Sequence, residues 1–260
     1  MRKVPLLLVV LAMLLAADRA GGEPAKLDRP GQPFRDAVTP ACAPDSARVG
    51  DLCVDRYEAS LWSIPPARGD LIRRVREGKA TLADLKAGAA KQLGCTSAPF
   101  RLNAIPETFP VYGNYGAPAY AASVAGVLPT TCVSVYQAAV ACQAAGKRLL
   151  SSSEWLAAAK GTPEASSDDG AKDCNTGSPG KPARGPTRTG ARSSCRSATG
   201  LFDAVGNVWE WTTEAPGSID PANAAVHGGA WETGPRASLS LSGRHGPLDQ
   251  IAVLGFRCAR

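Results

Sequence analysis

The sequence predicts an α+β domain with little regular structure and with its two ends meeting in one sheet. Three observations lead there. Two helices with complete start signals follow each other within residues 134–161, joined only by the link KRLL at 147–150. The other apolar segments are short and are separated by long stretches rich in Gly, Pro and Ser. Cysteine occurs in both the first and the last of those segments, as Cys53 and Cys258.

Taken in order, residues 1–20 read as a secretory signal peptide. Arg2 and Lys3 precede an apolar run at 5–17, and Ala16, Ala17 and Ala20 supply small residues for cleavage. The run is short for a transmembrane span, and no later segment is apolar enough to be one. Residues 21–40 (GGEPAKLDRPGQPFRDAVTP) read as a flexible leader, so the domain is expected over 41–260. DLCVDRYEAS at 51–60 alternates as a strand, with Leu52, Val54 and Arg56 on one face. A helical insertion is expected over about 65–94. DLIRRVREG (70–78) and TLADLKAGAAKQL (81–93) carry apolar residues at helical spacing, and Thr81 with Asp84 forms a capping-box start. Arg68, Arg73, Arg74, Arg76 and Lys79 there make the most basic patch, read as a solvated helix face.

Residues 95–131 hold five prolines and Tyr112, Tyr115 and Tyr120, and are expected to be irregular. The next helix starts with the box Ser134–Gln137, buries Val135, Ala138, Ala139 and Cys142, and ends at Gly146. Its successor starts with Ser151–Glu154, turns Trp155, Ala158 and Ala159 inward, and ends at Gly161. Residues 162–199 have almost no apolar content and read as a loop. Strands are expected at 226–231 and 253–259, with a polar loop over 235–251.

The centre of the chain is GLFDAVGNVWEWT at 200–212. It crowds Leu201, Phe202, Val205, Val208, Trp209 and Trp211 together, yet matches neither a helical face nor a simple alternating strand. Gly206–Asn207 marks a tight turn, since both residues tolerate positive φ. Glu210 between two indoles puts a carboxylate next to the core, where it needs a partner or a metal.

The formal charge is +6, or about +4 without the signal peptide, and no basic run is interleaved with aromatics. That balance excludes a nucleic-acid binder. Eight cysteines in an exported chain predict four disulfides, and no CxxC or HxxxH spacing suggests zinc. Cys174 and Cys195 are paired on proximity.

Four ordered stretches carry a family resemblance: CVDRYEAS (53–60), CVSVYQAAVACQAAGKRLLSSSEWLAAAKG (132–161), GLFDAVGNVWEWT (200–212), and HGGAW (227–231) with GFRCAR (255–260). Together they resemble the formylglycine-generating enzyme, or sulfatase-modifying factor, domain over roughly residues 42–260. The resemblance implies a C-type-lectin-like variant of the α+β architecture and a disulfide between Cys142 and Cys258. The remaining cysteines are assigned as 42–53 and 95–132 with no motif behind the choice.

The resemblance also sets the expectations for chemistry. It implies a structural calcium at Asp203, Glu210 and the carbonyls of Gly206 and Val208, with Asn175 as a member of a second site. The competing reading has the Asp and Glu satisfied by backbone N–H groups and an arginine such as Arg257. Formylglycine-generating enzymes bind copper through two cysteines beyond their Gly-Gly-Ser strand. Counted without gaps, those positions are Thr233 and Ser238 here, and the active serine is Ala230, so neither copper nor that oxidase activity is expected. Iron of the kind found in related sulfoxide synthases needs histidines from a separate bundle, and this chain has only His227 and His245. Ser238, Ser240, Ser242, His245 and Asp249 are close in sequence, but are read as a polar loop and not as a triad. A substrate groove is implied at Trp231, Glu232, Arg236, Arg244 and His245, which suit a peptide or a sugar. The expected role is therefore an exported, non-oxidase domain that binds, or assists modification of, a peptide or protein partner. The alternatives are a family enzyme with different catalytic residues and a calcium-dependent lectin-like module.

Overall fold

A computed structural model describes residues 41–95, 118–164, 168–178, 183–220 and 224–260, all within the compact unit Thr39–Arg260. The expected signal peptide and leader, and Tyr112 and Tyr115, lie outside the described residues. Regular structure begins with a hairpin, β1 (Ser46–Val49) and β2 (Leu52–Asp55), turning at Gly50 with φ 57°. Then come β3 (Ser60–Ser63), the helices α1 (Gly69–Arg76) and α2 (Leu82–Ala87), β4 (Lys91–Gln92) and β5 (Ala119–Ala122). The helix α3 (Val135–Ala144), the strand β6 (Arg148–Leu149) and the helix α4 (Ser152–Ala159) follow. The last part holds β7 (Trp209–Thr212), β8 (Ala224–His227), a 3-10 turn at Gly234–Arg236, β9 (Ser242–His245), β10 (Leu254–Phe256) and β11 (Cys258–Ala259).

These strands form three small sheets, ordered β1-β2-β11-β6, β10-β7-β8-β9 and β4-β3-β5. In the first, β11 lies against β2, so the two ends of the domain do meet in one sheet. In the second, β10 runs parallel to β7, and β7, β8 and β9 are antiparallel. α3 packs on β5, β6 and β7, and α4 packs on β8. The larger core gathers Leu61, Trp62, Trp211, Val226, Leu254 and Phe256. A second core holds Val54, Leu150, Trp155, Leu201 and Ala259 under α4. Each fully buried large apolar side chain contributes about 1.5–3 kcal/mol.

The start signals work as read. Ser134–Gln137, Ser151–Glu154 and Thr81–Asp84 all form reciprocal capping boxes. Several boundaries differ from expectation. The strand expected over 51–60 breaks after Asp55, because Asp55 and Glu58 turn into the interior to meet polar partners. The second insertion helix stops at Ala87, since Gly88 caps it and Ala89 takes φ 54°. The KRLL link contains β6, which pairs with β11. The irregular 95–131 stretch contains β5, and the polar 235–251 loop contains β9. β9 reads SGRH, with no apolar alternation, and is held by its ladder to β8. The closing strand splits at Arg257, whose side chain turns fully inward.

All four disulfides match the assigned pairs: Cys42–Cys53, Cys95–Cys132, Cys142–Cys258 and Cys174–Cys195. They close loops of very different length. Cys142–Cys258 spans 116 residues and Cys174–Cys195 spans 21. By loop entropy the long bridge stabilises by about 5 kcal/mol and the short one by about 3. Replacing each pair by Ala is therefore expected to lower unfolding free energy more for Cys142/Cys258, as measured by urea denaturation. An equal or reversed order would show that loop closure is not what these bridges contribute.

Candidate functional site

The backbone of the central segment explains its irregular pattern. Asp203, Gly206 and Asn207 all have positive φ, at 61°, 76° and 56°. The chain therefore coils tightly before entering β7, and Gly206 N donates to Gly228 O. A Cβ on Gly206 would sit 2.5 Å from the Asn175 carbonyl oxygen, so only glycine fits there. This coil delivers Asp203, Asn207 and Glu210 into one buried polar cluster with Glu58 and Arg257.

Arg257 is the cation at the cluster's centre, and it is 0% exposed; buried Arg192 also pulls on Asp203 from beside Asn175. Its Nε and Nη2 donate to the two oxygens of Glu210 at 2.6 and 2.5 Å. Nη2 also donates to Phe202 O, and Nη1 donates to Asp55 O and Arg56 O. The Trp155 indole N–H adds a bond to Glu210 Oε2 at 2.7 Å. Glu58 accepts from Val208 N and from Asn207 Nδ2. Asn207 Oδ1 accepts in turn from Asn175 Nδ2 and Thr187 N. Asp203 Oδ2 accepts from Gly190 N at 2.8 Å, whereas Asp203 Oδ1 is buried with no hydrogen-bond partner.

Three carboxylates thus share one guanidinium in a dry environment. Burial, reinforced by Asp203 and Glu210, pushes Glu58 well above the usual carboxylate range. Burial also raises Asp203 to about 7, against the pull of Gly190 N–H and Arg257. For Arg257, burial alone would lower the guanidinium, but Glu210 holds it above its ordinary value.

Both oxygens of Glu210 accept from Arg257, and Trp155 adds a bond to one of them, which is the arrangement of the competing reading of the sequence. Asn175 Nδ2 donates to Asn207 Oδ1. Among the described residues, no group of three or more His, Cys, Asp or Glu is placed to hold a metal. Every cysteine is in a disulfide. Thr233 has a structural task instead: its Oγ1 accepts from Ala230 N at 2.8 Å. Ser238 pairs with Ser240 on the surface.

Trp231 is 8% exposed, and its indole N–H has no partner. Glu232 and Arg236 are both exposed in the loop that follows. Arg244 and His245 are neighbours on β9 and so face opposite sides of the sheet. Arg244 is ion-paired with Glu214 and Asp220, and His245 with Asp249 while meeting Trp211 edge-on. His227 stacks on Trp155 at 5.0 Å, and its Nε2 lies 3.0 Å from Ser152 Oγ. Burial lowers its pKa, which outweighs the opposite effect of Glu210. Sequence reasoning missed Glu58 and Ser152. Glu58 could have been noticed as a charge just ahead of the apolar run 59–62, but Ser152 carries no signal beyond its helix start.

Two outcomes follow from the cluster. Arg257→Met leaves buried carboxylates uncompensated and is expected to cost about 3–5 kcal/mol in denaturant unfolding; a loss below 1 kcal/mol would refute the central role given to this guanidinium. Asp203 holds its proton in the folded chain up to about pH 7, whereas the unfolded chain releases it near 3.8, the ordinary value of an aspartate. Its stability contribution is then full below that lower value and is lost as pH rises through about 7. Asp203→Asn is expected to melt with wild type at pH 4 and above it at pH 8.5, by at most a few kcal/mol at ~1.4 per unit. A variant less stable than wild type at pH 8.5 would mean that the ionised carboxylate has a partner.

Comparisons with known proteins now bear on this geometry. The model of the sulfatase-modifying factor enzyme 1-like domain matches residues 115–260. No curated protein matches the chain. Among solved structures, the chain is similar to the Major Tropism Determinant P3c variant, with 22% identity over 83% of this chain and 52% of that one, at a TM-score of 0.45. It thus spans about half the length of that protein. PvdO from Pseudomonas aeruginosa is 19% identical, with 80% of each chain covered and a TM-score of 0.48. CarF is 17% identical, with 80% of this chain and 85% of that one covered, at 0.39. The family model covers more than half of the chain, including both capped helices, the central coil and the closing strands, and the fold is the α+β, C-type-lectin-like one expected: the chain belongs to the FGE-sulfatase, or sulfatase-modifying factor, family.

Proposed function

We infer that this protein is an exported binding member of its family, which holds or presents a peptide or protein partner and does not make formylglycine through a two-cysteine copper site. The observation that carries this reading is the state of the cysteines. All eight are in disulfides, and the residues at the two copper positions are Thr233 and Ser238. A low-valent copper needs soft thiolates, and a hydroxyl pair does not replace them. Four disulfides also favour an oxidising compartment, consistent with the signal-like residues 1–20. Among the described residues no helix is long and apolar enough to cross a membrane. The unpartnered Trp231 indole N–H, beside the loop that carries Glu232 and Arg236, supports a contact point for an extended backbone carbonyl.

A structural calcium is a second proposal. It rests on the unpartnered Asp203 Oδ1, with the Gly206 and Val208 carbonyls as further donors, and it requires Glu210 to leave Arg257.

The test has three readouts on the purified chain. Incubation with copper, oxygen and a cysteine peptide is expected to yield no aldehyde; aldehyde formation would overturn the non-oxidase reading. Selection from a displayed peptide library is expected to enrich sequences that Arg236→Ala binds about tenfold more weakly; no enrichment would remove the binding role. Plasma mass spectrometry before and after chelation reads the calcium proposal, which fails if the metal content and melting temperature are both unchanged.

A further inference from the structure

Among the described residues, Arg56 and Arg196 form a pair of cations with no ion-pair partner. Both guanidinium groups close on the side-chain-free face of Gly200. The position that a Cβ would take there lies 3.0 Å from Arg56 Nη1, 3.3 Å from Arg196 Nη2 and 3.7 Å from Arg196 Nε. Gly200 adopts φ 97°, and its amide donates to Ser197 O, so a tight turn forms the floor between the two side chains. The backbone brings the pair together on either side of one residue. Phe202 N donates to Arg56 O at 2.8 Å, and Phe202 forms an isolated antiparallel bridge with Arg196.

The pair is held in place and is open to solvent. Arg196 is exposed and Arg56 half-buried. The Arg196 guanidinium lies 5.4 Å from the centre of the Phe202 ring, which stacks on Tyr57 at 5.3 Å with the planes 16° apart. A cation over an aromatic face is attracted to it, so Arg196 is fixed without a carboxylate. Some other exposed cations do meet acids, as Arg74 meets Asp84 and Arg244 meets Glu214. Among the described residues neither Arg56 nor Arg196 has an ion pair or a side-chain hydrogen bond. Two like charges converging on one point repel each other, and an anion between them reverses the sign of that interaction.

The geometry points to an oxyanion site: Arg56 and Arg196 clamp a phosphate-class oxyanion, free or as a phosphomonoester, at the solvent-facing edge of the pair. Guanidinium forks suit this task because each offers two parallel N–H donors to a tetrahedral oxyanion, which a lysine cannot do. Gly200 is itself buried against the two guanidiniums, and its missing side chain lets them converge there.

Isothermal titration calorimetry on the full chain, at constant ionic strength and with chloride as the control anion, tests the clamp. The probes are inorganic phosphate and glycerol 3-phosphate. One saturable site is expected for at least one of them, and the tighter of the two identifies the free or the esterified source. Arg56→Gln and Arg196→Gln are each expected to weaken binding about tenfold or more. Phe202→Leu, which keeps both charges but removes the ring under Arg196, is expected to weaken it by a smaller factor. Arg73→Gln, on the surface of α1, is expected to change nothing. The inference is overturned if neither probe saturates, or if Arg73→Gln loses as much affinity as the clamp variants. Melting curves for each variant confirm that it is folded under the titration conditions.

Discussion

The Arg257–Glu210 pair is the interaction on which the rest of the structure depends. One guanidinium, wholly out of water, joins four separate parts of the chain: the exit of β2 through the carbonyls of Asp55 and Arg56, the central coil through Phe202 O, β7 through Glu210, and its own position between β10 and β11. A buried ion pair by itself is weak evidence for stability, because desolvation offsets the attraction. Its geometry is another matter. The five N–H donors of an arginine have fixed directions, so each acceptor is held in register with the others. Trp155 extends the same network into α4 through Glu210 Oε2.

Burial sets the protonation of the neighbouring carboxyls. Arg257 pulls on Glu58 and, with Arg192, on Asp203, but burial outweighs that pull and favours their neutral forms. The domain therefore carries carboxyl protons near neutral pH in its most enclosed region. A comparable arrangement anchors the ends of the domain. Lys147, itself buried, meets Asp45 and Asp55 at 2.7 and 2.6 Å, and Arg260 reaches Asp45. Burial raises Asp55 to about 6 despite Lys147. For Asp45, burial acts upward too, but the ammonium of Lys147 prevails and holds it below its ordinary value. With strands of two to four residues, the ladders alone tie little together. Buried charge and four disulfides take over that task.

The family match runs through the capped helices, the central coil and the closing strands. In the loop after β8, Thr233 closes a turn on Ala230 N and Ser238 bonds to Ser240. A loop residue can change without disturbing the core that supports it, and the Arg56–Arg196 pair flanks the Gly200–Phe202 turn that the cluster holds through Phe202 O.

What the sequence determined by itself was the local structure and the identity of the domain. Capping boxes are read from residues three apart, so Ser134–Gln137, Ser151–Glu154 and Thr81–Asp84 were legible. Positive φ at Gly206 and Asn207 follows from residue type. The 142–258 disulfide came from family resemblance, and the other bridges from proximity or assignment. What only the tertiary structure decided was partnership across distance. β9 has no apolar alternation and exists because β8 offers it a ladder. The break of the expected 51–60 strand depends on Lys147 and the cluster, far away in sequence. Glu210 was placed beside the core, but its partner lies 47 residues on. Neighbours on a strand face opposite ways, so adjacency in sequence does not by itself bring Arg244 and His245 to one face. The Arg56–Arg196 pair was invisible for the converse reason, since residues 140 apart become neighbours only when Phe202 lies between them.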